Sequence, residues 1–133
     1  MKGSCLCGAV TITAPDAIHM HACHCGMCRR WGGGPLLSVN CGPDVQIAGE
    51  DKVTVFKSSD WAERAFCSRC GTHLYYRFVP ANNYALSIGL FEDGSAFEFA
   101  QQIYIDRKPA LYSFADQTEV LTEAEVIAKF APG

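Results

Sequence analysis

The chain has 133 residues, 49% of them apolar, and a formal charge of −3 with both signs interspersed, which suits one domain with its own core. Without a Lys/Arg run it is not expected to bind nucleic acid generally. No stretch nears the roughly eighteen apolar residues of a membrane helix, so no membrane association is expected either.

The opening MKGSCLCGAV has no apolar h-region and no cleavage-site pattern, so a cytoplasmic protein is expected. Eight cysteines would suit four disulfides in a small secreted chain, but in this context their spacing points to metal. They sort into a C-x-C pair (Cys5, Cys7), a C-x-C-x₂-C triple (Cys23, Cys25, Cys28), a lone Cys41 and a C-x₂-C pair (Cys67, Cys70). The two pairs make one closed Cys₄ site without touching the triple. Thiolates are soft donors that Zn²⁺ accepts in a tetrahedron. The triple supplies three donors, which leaves the fourth position to water, a substrate thiol, or another protein group.

In chain order, Gly8 to Thr13 and the alternating Ile18 to Ala22 read as strands, so the triple begins where a strand leaves its sheet. Gly26 frees the backbone to wrap around a metal, and Gly32, Gly33, Gly34 and Pro35 form either a ligand-approaching loop or a tight turn. Leu36 to Val39, Val45 to Ala48 and Val53 to Lys57 follow as short strands, in the rhythm of an antiparallel all-β domain without crossover helices. AFCSRCG at 65 to 71 reads as a zinc knuckle with Gly71 at positive φ. Thr72 to Phe78, Tyr84 to Ile88 and Gln102 to Ile105 are further strands. TEAEVIAKF, from Thr122, carries a capping box with Glu125 and predicts a short C-terminal helix. No repeat or linker divides residues 1–133, which read as a single domain.

Four motifs in order, GSCLCGAV (3–10), ACHCGMCRRWGGG (22–34), RAFCSRCGTHL (64–74) and IDRKPALY (105–112), make the sequence resemble the family of glutathione-dependent formaldehyde-activating enzymes, to which the centromere protein V domain also belongs. The resemblance implies a mainly-β, beta-tent fold of antiparallel sheets stapled by a Cys₄ zinc. It implies structural ligands at Cys5, Cys7, Cys67 and Cys70, and a catalytic zinc on Cys23, Cys25 and Cys28. The implied activity is the reversible addition of a thiol, glutathione, to formaldehyde, a carbon–sulfur lyase reaction in reverse.

For substrate contacts the candidates are Arg29, Arg30, Trp31 and Gly33. The arginines would balance charge or pair with an anionic thiol, and the glycine-loop amides would stabilise an alkoxide. Each has a plainer reading: solvated arginines, a packed tryptophan, a simple turn. Cys41 is either a buried apolar cysteine or a fourth ligand, and His24 either closes the coordination shell or points away. The enzyme reading therefore competes with a binding module whose two zincs are both structural, and more distantly with a redox or metal-storage thiol protein.

Overall fold

The computed structural model describes residues 1–92 and 96–130 and is mainly β, with eleven strands and two helices among those residues. In chain order they are β1 (Lys2–Ser4), β2 (Thr11–Thr13), β3 (His19–Cys23), α1 (Gly26–Gly32), β4 (Leu36–Asn40) and β5 (Gln46–Ala48). There follow β6 (Val53–Lys57), β7 (Ala62–Cys67), β8 (His73–Phe78), β9 (Asn83–Ser87), β10 (Glu98–Ile103), β11 (Glu119–Leu121) and α2 (Glu123–Phe130).

The chain divides into two units, each assembled from two stretches of sequence. Met1–Ile18 with Ser38–Phe97 make the first, and His19–Leu37 with the chain from Glu98 onward make the second. In the first unit, β1, β2 and β5 form a small antiparallel sheet in which Gly3 faces Ile12 and Ile12 faces Ile47. A second antiparallel run takes β4, β9, β8, β7 and β6 in that spatial order. Inward positions of these two sheets, Ile12, Val39, Ala65, Leu74 and Leu86, are fully buried in one cluster together with Val10, which leads into β2. Each large aliphatic side chain so placed stabilises by roughly 1.5–3 kcal/mol. Cys5 and Cys67 are buried in the same cluster, so half of the first thiol set is anchored by the core.

In the second unit, β3 pairs with β10 and β10 with β11, both in parallel. The antiparallel expectation thus holds in the first unit and fails here, because these partners are far apart in sequence and the strand rhythm carries no record of a distant return. The three-residue β11 had no sequence signal of its own. A second difference concerns the triple, which begins where a strand leaves its sheet, as expected, but continues into a helix where only a glycine-freed wrap around a metal was expected. Cys25 instead caps α1: its backbone is extended (φ −63°, ψ 157°) and its sulfur accepts the Cys28 amide at 3.3 Å. A seven-residue helix opened and closed by glycine leaves too little periodicity to read. At the C-terminus the capping box is present as expected. Thr122 Oγ1 accepts the Glu125 amide at 3.2 Å, and Glu125 returns to the Thr122 amide at 3.0 Å.

Candidate metal centres

Cys5, Cys7, Cys67 and Cys70 bring their four sulfurs within 4.8 Å of one another. Two similar turns do this. After Cys5 the Gly8 amide bonds the Cys5 carbonyl at 3.1 Å, and after Cys67 the Gly71 amide bonds the Cys67 carbonyl at 2.7 Å. Both glycines have positive φ, 80° and 79°, the left-handed conformation that a β-carbon disfavours. The chain then turns back so that the Val10 amide donates to the Cys5 sulfur at 3.3 Å. Thr72 ties the two halves together. Its hydroxyl oxygen accepts the Leu6 amide at 3.1 Å and lies 3.1 Å from the Cys70 sulfur, to which the hydroxyl donates. Thr72's hydroxyl and amide draw the Cys70 thiol down to about 5. The Ala9 amide lowers Cys7, yet desolvation and its bonds to Cys5, Cys70 and Cys67 push that thiol up to about 11.

The donor set fits zinc. Sulfur separations of 3.6 Å (Cys5 to Cys7) and 3.8 Å (Cys7 to Cys67) match the roughly 3.8 Å edge of a tetrahedron whose zinc–sulfur bonds are about 2.3 Å.

Cys23, Cys25 and Cys28 form the second group, again with all sulfurs within 4.8 Å. Cys23 closes β3, Cys25 caps α1 and Cys28 lies buried on its first turn. The Cys25 and Cys28 thiols, and then burial, push Cys23 far above the ordinary thiol range. Three thiols this crowded cannot all ionise without a cation among them, so this donor set also fits a metal. Among the described residues no further His, Cys, Asp or Glu donor joins the three.

His24 is not the fourth. It is fully buried, with Nε2 2.8 Å from Gln102 Oε1 and Nδ1 2.8 Å from the Tyr112 hydroxyl. Because Gln102 Nε2 donates to Thr118 Oγ1 at 3.1 Å, its Oε1 faces the imidazole and Nε2 carries the proton. Burial lowers the His24 pKa, so the ring is neutral and Nδ1 accepts from Tyr112. Nor is Cys41 the fourth. It is buried in the core of the first unit, and its thiol donates to the Val39 carbonyl at 3.6 Å.

Arg29 is half-buried and its Nε donates to the His24 carbonyl at 3.0 Å, while Arg30 is exposed and Trp31 half-buried. Gly33, at φ 84°, ends α1 with its amide on the Arg29 carbonyl at 2.8 Å, so that amide serves the helix cap. Sequence reasoning missed Thr72, Gln102 and Tyr112 and gave Tyr104 no role. Tyr112 closes the IDRKPALY motif, which was the available signal, whereas Gln102 is an unmarked polar residue inside β10 and Thr72 one just before β8.

A mainly-β protein with two thiol clusters suited to metal is the class that fold and sites define. The family model for glutathione-dependent formaldehyde-activating enzyme matches residues 1–107, and the chain belongs to that family. It is 34% identical over 128 residues to a protein of Schizosaccharomyces pombe named an uncharacterized lyase, covering 95% of this chain and 93% of that one. A Halomonas elongata protein, named as a candidate glutathione-dependent formaldehyde-activating enzyme, is 29% identical over 85 residues, 56% of this chain and 54% of the relative. A solved structure of a Rhodobacter sphaeroides protein superposes with a TM-score of 0.60 at 25% identity, covering 70% of this chain and 89% of that one. Among the described residues no helix is long and apolar enough to cross a membrane.

Proposed function

We propose that this protein is a zinc-dependent carbon–sulfur lyase that reversibly adds a thiol such as glutathione to a small aldehyde such as formaldehyde. The observation that carries the reading is the three-donor cluster at Cys23, Cys25 and Cys28, with His24 and Cys41 both committed elsewhere. In this reading Cys5, Cys7, Cys67 and Cys70 hold a structural zinc, and the triple holds a catalytic one. The ion's contribution when bound is to favour the thiolate form of an incoming thiol.

The chain's own residues do the rest. Three thiolates outweigh a divalent cation by one negative charge, and Arg29, held by the His24 carbonyl, supplies fixed positive charge beside them. Its charge helps to lower the His24 pKa and opposes the rise in that of Tyr112. In this reading Arg30, which is exposed, pairs with a carboxylate of an anionic thiol, and Trp31 with Gly33 forms a wall for that thiol along α1. Each unit being built from two separated stretches, we read residues 1–133 as one domain. Eight free thiols suit a reducing compartment such as the cytoplasm.

Exchange spectroscopy of glutathione with formaldehyde tests the reading. The zinc-loaded protein is expected to accelerate adduct formation over buffer, and Cys25→Ser to abolish the acceleration. A wild-type rate equal to buffer, with two chelation-resistant metals, would leave the binding-module reading in its place.

A further inference from the structure

β10 ends at Ile103, in register with Cys23, and the His24 amide donates to the Ile103 carbonyl at 3.1 Å. The next residue, Tyr104, takes the left-handed conformation at φ 54°, ψ 43°. For an aromatic side chain this is strained, and such strain persists where surrounding contacts over-determine the backbone. Those contacts are present. The Arg107 amide closes the turn on the Tyr104 carbonyl at 2.9 Å. Asp106 Oδ1 accepts the Glu123 amide at 2.8 Å, and the Arg107 guanidinium grips the Glu123 carboxylate at 3.1 and 3.2 Å. The first turn of α2 therefore locks the bend. A glycine or asparagine would form it more easily, so nothing in the turn itself calls for a tyrosine.

The side chain gives the reason. Tyr104 is half-buried, and its hydroxyl bonds to none of the described residues. The Ile103–Cys23 register and the His24 amide on the Ile103 carbonyl bring the backbone of Tyr104 next to the start of the triple, and burial first, then Cys25 and Cys23, with smaller parts from Glu123 and Cys28, raise the pKa of its phenol. Three other donors of this part of the chain are engaged: the Gly33 amide on the Arg29 carbonyl, the Arg29 Nε on the His24 carbonyl, and the Tyr112 hydroxyl on His24 Nδ1.

We infer that Tyr104 donates a hydrogen bond to the aldehyde oxygen of a substrate at the three-cysteine centre, an inference that rests on the lyase reading above. As the thiol sulfur bonds to the carbonyl carbon, the carbon–oxygen π pair moves onto oxygen, and the phenol stabilises the charge that develops there. The proton lost by the thiol passes to water, and the oxygen takes one back from water, so the hemithioacetal balances and Tyr104 stays protonated throughout. In the reverse direction the same bond holds the alkoxide from which the carbonyl re-forms.

The test is Tyr104→Phe in the metal-loaded full chain, with Tyr104→Asn as a second variant suited to the left-handed turn. Both are expected to lose roughly 100-fold in adduct formation at saturating glutathione, while the glutathione dissociation constant, measured by calorimetric titration, moves less than about twofold. Metal content is expected to match wild type in both. Tyr104→Phe at the wild-type rate overturns the inference and leaves the lyase reading standing. A loss of glutathione affinity or metal as large as the rate loss also overturns it, because the ring would then be a structural support. Wild type no faster than buffer overturns both.

Discussion

Cys41 and Cys5 have the same thiol and nearly the same burial, yet their environments differ. Desolvation pushes Cys41 up to about 11, against a small opposing pull from the N-terminal ammonium. Its thiol is therefore protonated in the native state at pH values where an unfolded cysteine, near 9, has already ionised. A folded pKa above the unfolded one binds the proton more tightly in the native state. The stability it contributes is complete below pH 9 and is lost as pH rises from 9 toward 11. Cys41→Ala is expected to flatten that part of the stability profile, measured by denaturant melts at each pH. Cys41 should also resist alkylation in the folded protein at neutral pH, as mass spectrometry of the labelled chain would show. The metal-ligand candidates were legible in the sequence because ligand spacing is local. Thr72 was not, since its role depends on Leu6, 66 residues away, and Tyr104 was not, since a backbone angle leaves no mark in composition.

Elements were legible where one local rule sufficed. β6 was expected at Val53 to Lys57 and runs over those residues, and α2 follows its capping box. Where the rule was non-local or the element too short, as for the parallel pairing of β10 and for α1, reading the chain fell short. Two substitutions probe this scale. Thr122→Ala removes the acceptor of the Glu125 amide and is expected to cost about 1 kcal/mol in a urea melt. Gly49→Ala is expected to cost more. Gly49 sits at φ 85°, and a β-carbon there would lie 2.1 Å from the Ala9 carbonyl oxygen, so the turn after β5 would be driven off the chain leading into β2. Strain plus steric shift puts the loss above about 1 kcal/mol.

For the molecule as a whole the two thiol clusters have unequal structural consequences, because they close loops of very different length. Binding at Cys23, Cys25 and Cys28 fixes six consecutive residues that β3 and α1 already order. Binding at Cys5, Cys7, Cys67 and Cys70 joins the start of the first unit to a knuckle some sixty residues on, through the core that buries Cys5 and Cys67. Closing the longer loop removes more freedom from the unfolded chain. Because such a site does not exist in the unfolded state, its binding free energy, on the order of 10–16 kcal/mol for structural zinc, is largely folding free energy. That is comparable to the roughly 5–15 kcal/mol of net stability typical of a domain. Cys67→Ser is accordingly expected to lose one metal and most of the cooperative thermal transition, whereas Cys25→Ser loses one metal and keeps the transition within a few degrees. Metal analysis of each variant beside its circular-dichroism melt makes the comparison. Equal damage from the two substitutions would mean that the second cluster also holds the fold together, and the division into a structural and a catalytic centre would have to be given up.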